Sequence, residues 1–535
     1  MTLPPPAADA GHQGQLEKLA RRGTASVVGA GLGAVFGVLL VVIVTHGFSP
    51  AVAGTLFAAT AAFLILESVA LLGTDTGLVR WLPAQLASGR AADLARTLVI
   101  SAVPVLALSL GVAVILYVAA PTLAPHLVGA DAAPTMSLML RALALALPVA
   151  ALYDLLMAAT RGMGSMRPTV LVENIGRLGL QAVAVLVVYL TGGGALALAL
   201  AWSLPYVVGL ALAGVWLRRR FAARITPEGP PTPWRTLARE FWTYTAPRAI
   251  ARVTQTALKR SDIVLVAALA SPADAALYTA ATRFVVLGQL FVQSVQQALS
   301  PQISSLFARR ETKAANSVFQ AATLWSMLAA WPLYLVTAGF ATPLMGVFGK
   351  GYDVASDVVL ILSLTMLVAT ACGPVDSVLL MAGRSWLSLR NSIVALVVNV
   401  ALNVVLIPLY GISGAATAWA VAIVVRNLLP LVQVRRHLGM WPATSAGVRV
   451  ALAAVVCFGV VDIAAAVSDF PVAVDVALLG VGTLAYAGII WSWRATLGLG
   501  AFRSALRRRP GASSPRLPGG GLSDAGSGRL PRIRA

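Results

Sequence analysis

Stretches of about twenty apolar residues recur along the whole of this 535-residue chain, and no other feature limits its fold so strongly. A helix of roughly 20 apolar residues spans the hydrocarbon core of a bilayer. Fourteen such spans are predicted, at 25–45, 52–73, 97–118, 138–160, 170–190, 196–217, 245–267, 277–300, 318–338, 358–382, 391–408, 412–434, 447–467 and 473–493. They are too long for barrel strands and lack the alternation of a barrel. Only 11% of residues are charged, against about a quarter in soluble domains, so a water-soluble enzyme is excluded. The expected fold class is all-α: a polytopic integral membrane protein with 14 transmembrane helices.

Basic residues set the orientation. The N-terminal tail, the even-to-odd loops and the C-terminal tail together hold 30 Lys/Arg, whereas the seven opposite loops hold one, Lys350. Lys and Arg resist translocation, so both termini are expected in the cytoplasm of a cell that carries the protein in its plasma membrane. Topology thus explains most of the formal charge of +20, and nucleic acid need not be invoked. The first span lacks a small-residue cleavage site and reads as a retained helix. No outer loop reaches twenty residues, which leaves no room for an extracytoplasmic domain.

The chain reads as a duplication. Ser49-Pro50-Ala51 and Ser271-Pro272-Ala273 open the second and eighth spans, 222 residues apart; Asp154 and Asp376 share that offset. Arg161 and Arg384, Pro83 and Pro301, and Tyr189 and Tyr410 repeat at 218–223. The predicted organisation is a tail (1–24), an N-lobe of helices 1–6 (25–217), an inter-lobe linker (218–242), a C-lobe of helices 7–12 (243–434), helices 13–14 (447–493) and a disordered basic tail (494–535). Six spans per copy make the repeats parallel, with a site expected between two rocking lobes.

Charges stand where hydrocarbon should exclude them. Arg248, Arg252, Gln255, Lys259 and Asp262 fall within an arc of roughly 80° on span seven. A cation at mid-helix costs about 2.5–3.5 kcal/mol, and each Leu or Val returns only about 0.3–0.6. The arginines could snorkel to the surface, and Lys259 could pair with Asp262. Lys259 and Arg260 lie too deep for snorkelling, which favours a face on water, protein or an anion. Span eight adds Thr282, Gln289, Gln293, Gln296 and Ser300 on one face with Arg283 at its margin, either interhelical glue or a wet wall. In the N-lobe, Arg80 follows span two, Glu67 and Asp154 are buried acids able to carry a proton or sodium, and Glu173 and Arg177 stand one turn apart and able to pair.

No cofactor is expected. Cys372 and Cys457 lie in apolar runs, four histidines are scattered, and no phosphate-binding loop of the Walker type occurs.

The run Leu72-Gly-Thr-Asp75-Thr-Gly77-Leu-Val-Arg80-Trp-Leu-Pro83, its C-terminal partner Asp376 through Gly383-Arg384, Asn399 and Asn403, and the basic seventh helix resemble the polysaccharide-lipid flippases of the multidrug/oligosaccharidyl-lipid/polysaccharide exporter superfamily. The resemblance covers about residues 20–495. It implies a transporter, not an enzyme, that moves a polyprenyl-diphosphate-linked oligosaccharide from the cytoplasmic to the outer leaflet for envelope glycan synthesis. A polymerase and glycosyltransferases of the same pathway would be partners, along with membrane lipids. On that reading Arg248, Arg252, Gln255, Lys259, Arg283 and Arg80 bind the anionic cargo, while Glu67, Asp154, Asp262 and Asp376 are candidates for ion coupling. A lipid II flippase fits the same features; a cation-coupled drug antiporter fits them less well, since it would need an acidic cavity.

Overall fold

The computed structural model describes residues 29–224, 232–461, 472–494 and 497. The expected N-terminal tail, the middle of the 218–242 linker, the end of span thirteen and almost all of the C-terminal tail lie outside the described residues.

All the secondary structure described is helical. The first half contains α1 (Gly29–Gly47), α2 (Pro50–Ala70), α3 (Thr74–Ala87), α4 (Asp93–Gly162), a π-helical stretch Thr169–Arg177 that runs into α5 (Leu178–Leu190), α6 (Ala195–Ser203) and α7 (Pro205–Arg224). The second half contains α8 (Trp234–Leu269), α9 (Pro272–Ala308), α10 (Thr312–Gly339), the short α11 (Ala341–Gly346), α12 (Ser356–Ala371), α13 (Val375–Met381) and α14 (Ser385–Leu438). Last come α15 (Ser445–Ala454) with a π-helical extension, Val455–Gly459, and α16 (Val472–Ser492).

Helix lies over most of each predicted apolar segment where it is described, with non-helical breaks at Leu71–Gly73, Leu204 and Cys372–Pro374. Ten helices among the described residues are long and apolar enough to cross a membrane. The protein is therefore a multi-pass, all-α membrane protein. As a straight rod, α4 would measure about 105 Å, more than three times the hydrocarbon thickness. It breaks at Gly129, whose φ of 77° and ψ of 171° are not helical, and α14 breaks likewise at Gly411. Each of these helices thus supplies two of the predicted spans.

Local geometry recurs at the same offset. Ser49 and Ser271 both cap helices that begin with proline, accepting hydrogen bonds from the amides of Val52 and Asp274. Gly129 and Gly351, again 222 apart, both take positive φ, as do Gly192 and Gly411. The two Ser-Pro helices, α2 and α9, also pack on one another. Their contact is lined by Ala53, Ala58, Ala59, Ala275, Ala276 and Ala280, all buried. Small residues allow backbones to approach closely in a bilayer, where lipid removes the hydrophobic drive between helices. At Gly54 the approach is so tight that an added Cβ would lie 1.5 Å from the Pro272 carbonyl oxygen.

One continuous core links the halves through Phe63, Leu147, Val266, Tyr278, Tyr334 and Leu362. A second cluster joins α3, α4 and α8 through Leu78, Leu82, Leu155, Leu237 and Phe241. Large apolar side chains such as Val118, Leu145, Leu190, Leu409 and Leu484 lie exposed on the outside, which suits a surface solvated by lipid.

A polar clasp holds the linker's end. The amide and hydroxyl of Thr232 donate to the two carboxylate oxygens of Asp93 at 2.7 and 2.6 Å, and Arg90 Nε donates to Asp93 at 2.9 Å. Arg90 also reaches Glu240, and Arg96 donates to the Thr232 carbonyl at 2.7 Å while stacking over Trp234. Burial works to raise the Asp93 carboxyl, yet the Thr232 and Arg90 hydrogen bonds outweigh it and hold the group below the ordinary aspartate range.

Candidate functional site

The site is organised by α8, a 36-residue helix and thus about 54 Å long, more than enough to cross the bilayer. It is not among the ten apolar helices, because Arg248, Arg252, Lys259, Arg260 and Asp262 occupy its membrane-depth half. α8 ends at Leu269, and the chain turns through Ala270 and Ser271 into α9. Counting back along the helix from Leu269, Lys259 is about 15 Å away and Arg248 about 31 Å, so a bilayer bounded at Leu269 would have Lys259 near its midplane. The helix is sheltered from lipid by packing against α2, α3, α4, α9 and α14.

Lys259 is exposed, and Arg252, Arg260 and Arg426 of α14 are all within electrostatic reach of it. No carboxylate forms an ion pair with it among the described residues. Asp262, on the same predicted arc, turns away into a buried cluster: Asn403 Nδ2 donates to Oδ1 at 2.9 Å and Tyr278 Oη to Oδ2 at 3.3 Å. Ser261 donates to Asn399 beside it. Lys259 and Asp262 therefore do not neutralise one another. Arg260 acts on Arg283 of α9, whose Nε donates to the Thr279 carbonyl. Three arginines from α8 and α14 thus act on Lys259, and Arg283 of α9 is acted on by one of them, Arg260, an arrangement whose mutual repulsion an anion would relieve.

Nearer the α3 end, Arg252 Nη1 lies 3.5 Å from Asp75 Oδ2. Arg80 and Arg248 both stack on Tyr244, at 4.0 and 4.1 Å from its ring centroid. Gly73 and Gly77 make this possible: side chains there would collide with the Ala249 amide and the Thr245 hydroxyl. Gln255 is half-buried between the two groups.

The opposing half is acidic. Glu67 of α2 and Asp154 of α4 act on one another electrostatically, and both lie in the field of Arg177 and Arg252. Glu67 Oε1 is shielded and has no hydrogen-bond partner. Glu173 and Arg177 do pair, at 2.5 Å; Tyr153 donates to Glu173, and Arg177 lies over the Tyr206 ring. Asp376 stands apart from these acids, accepting from Ser388 at 2.5 Å and acting on Arg426. On α9, Gln293 is exposed and Gln289 and Gln296 are half-buried.

This arrangement lies within a recognisable family. The model described as polysaccharide biosynthesis protein matches residues 19–307, more than half of the chain. The chain belongs to the polysaccharide biosynthesis protein family. A second model, MatE, matches residues 247–405. Among curated relatives, the probable low-salt glycan biosynthesis flippase Agl15 of Haloferax volcanii is 28% identical over 169 residues. That match covers 31% of this chain and about a third, 36%, of the relative's length. Solved structures share the fold along much more of the chain. Lipid II flippase MurJ in an inward closed conformation gives a TM-score of 0.70 at 12% identity, covering 88% of this chain and 99% of that one. An inward-facing multidrug resistance MATE transporter gives 0.63 at 15%, covering 76% and 94%. A MOP superfamily transporter from Pyrococcus furiosus gives 0.55 at 17%, covering 78% and 95%.

Within this member of the polysaccharide biosynthesis protein family, two participants escape the sequence reading. Arg426 is a cation inside the twelfth apolar segment, a signal equal to those noticed on span seven. Tyr244 carries no such signal, since only the fold reveals that two arginines converge on its ring.

Proposed function

We propose that this protein is a flippase that carries a polyprenyl-diphosphate-linked oligosaccharide from the cytoplasmic to the outer leaflet of the plasma membrane. The two halves would rock about the site between α8 and the α2–α4 face, with both termini in the cytoplasm. The observation that carries this reading is Lys259 of α8, which has no ion-pair partner among the described residues and lies in the field of Arg252, Arg260 and Arg426. A diphosphate cannot cross hydrocarbon unaided, and these cations would receive it as charge-assisted hydrogen-bond donors. Arg80, Arg248 and Arg252 would meet the cargo first, and Lys259, Arg260, Arg283 and Arg426 would hold it further across. Gln255 and the glutamines of α9 would bind sugar hydroxyls.

Glu67 with Asp154, and Asp262 with its asparagines, are the acids available to couple transport to a proton or sodium. Asp376, remote from both, fits a role through Arg426. The pathway's polymerase and glycosyltransferases would supply and consume the cargo. A lipid II cargo would use the same cations, since it too presents a diphosphate.

The test is deletion of the gene, with identification of the lipid-linked saccharide that accumulates on the inner leaflet, followed by complementation with wild type or Lys259→Ala. An accumulating envelope-glycan intermediate cleared by wild type and not by Lys259→Ala supports the reading. Accumulated lipid II transfers the site to peptidoglycan synthesis, and unimpaired export by Lys259→Ala overturns the role of the recess.

A further inference from the structure

A second basic site lies away from the cations of α8. A pocket of about 710 Å³ opens between α7 and the π-helical stretch, with Arg167, Arg219 and Arg220 among its lining residues. Its apolar wall is made by Val172, Leu212, Val215 and Trp216. Arg167 and Arg219 are exposed, and neither has a carboxylate in ion-pair range among the described residues. Both lie at the end of the bundle that the loop charges assign to the cytoplasm.

The pocket is amphipathic along the membrane normal. Val208, Leu212, Val215 and Arg219 fall within an arc of about 60° on α7. The three apolar members are each about half exposed, at 47–50%, and form a lipid-facing track that ends in the arginine. Cations at the headgroup level above a continuous apolar strip suit a molecule with a phosphate at one end and hydrocarbon at the other. Sugar hydroxyls need acceptors as well as donors, and among the described residues lining the pocket there is no carboxylate, amide or hydroxyl side chain to accept from them. That composition separates it from a site for the glycan end of a lipid-linked saccharide.

We propose that this pocket binds an anionic glycerophospholipid of the inner leaflet, with the headgroup phosphate between Arg167 and Arg219 and an acyl chain along the 208–215 face of α7. The lipid would also touch the transport machinery. The same π-helical turn that contributes Val172 to the pocket carries Glu173 and Arg177, which face Tyr153 and the buried acids. The proposal concerns a site distinct from the cargo recess and stands whether or not the chain is a flippase.

The experiment is native mass spectrometry of the purified full-length protein in mild detergent, titrated with phosphatidylglycerol. One tightly retained phosphatidylglycerol per chain is expected, with affinity falling about fivefold for each of Arg167→Gln and Arg219→Gln. Arg218→Gln, an exposed arginine outside the pocket, should leave retention unchanged. Should the double variant fail to fold, Arg219→Gln alone carries the test. Equal retention in wild type and variant overturns the site, as does equal retention of phosphatidylcholine. Displacement by millimolar inorganic phosphate would make it a small-anion site, and preferential capture of polyprenyl phosphate a cargo site; either result also overturns the proposal.

Discussion

Arg252 of α8 reaches across to Asp75 of α3, with Nη1 3.5 Å from Oδ2, and so links the two halves of the chain by charge. The pair is incomplete. Asp75 Oδ1 and Arg252 Nε are both shielded and have no hydrogen-bond partner. An arginine held by one long contact, its side chain 41% exposed, is available to a better acceptor such as a diphosphate. Asp75→Asn keeps an acceptor oxygen facing Arg252 across this long contact and is therefore expected to change stability by less than about 1 kcal/mol. Thermal unfolding in detergent checks this. A large fall in the midpoint would make the pair a structural tie instead.

Lys259→Ala and Arg252→Ala should separate binding from folding. Lys259 faces like charges, so its removal relieves repulsion and should leave the melting temperature unchanged or higher. Loss of one charge-assisted contact, about 1.5–3 kcal/mol, should weaken cargo binding roughly tenfold or more. Transport assays in reconstituted vesicles, paired with melting curves, read both effects. Normal transport by the double variant would remove the cationic recess from the mechanism.

Glu67→Gln should be tolerated. Glutamine keeps the size of the side chain and removes a buried negative charge in the field of Asp154, while its amide can donate to that carboxylate. Folded yield and midpoint should stay near wild type, while any proton-driven transport should lose its dependence on external pH. Glu67→Leu, which offers Asp154 no such donor inside the core, should cost about 1–3 kcal/mol.

The Asp93 clasp predicts a pH dependence of definite sign. A carboxyl held below its ordinary value in the folded protein contributes stability above the unfolded value, near pH 4. That contribution disappears as the pH falls through the folded value. Asp93→Asn should therefore lower stability by about 2 kcal/mol at pH 7, since it exchanges a charged acceptor of several hydrogen bonds for a neutral amide. The gap between wild type and variant should close only in acid below about pH 4. A gap that closed between pH 6 and 8 would identify another group as its source.

Gly54→Ala places a methyl group where α2 touches the Pro272 carbonyl, a contact of 1.5 Å that cannot be accommodated without separating α2 from α9. A fall in the melting temperature of several degrees is expected, consistent with about 1–3 kcal/mol of overpacking. An unchanged midpoint would mean that the two helices part readily.

Much of the fold was legible because a bilayer is an exacting solvent. It demands backbone satisfied within each segment and about twenty apolar residues per crossing, so the spans announce themselves. The Ser-Pro starts of α2 and α9 were equally readable, since N-capping is local chemistry. The helical arc on α8 was readable in register only. Lys259 and Asp262 share that arc, yet one opens toward other cations and the other is buried against Tyr278 and Asn403.

The sequence by itself determined that this chain crosses a membrane many times, which end of each crossing carries the positive charge, and that one helix is too polar to face lipid. Tertiary structure alone decided the partners: Glu67 against Asp154 from a distant helix, Arg426 beside Lys259, Arg80 and Arg248 on one tyrosine ring. The reason is physical. Hydropathy and helical period are summed along a segment and survive without neighbours, whereas a contact depends on how each helix is rotated and how closely glycines such as Gly54 and Gly73 let it approach.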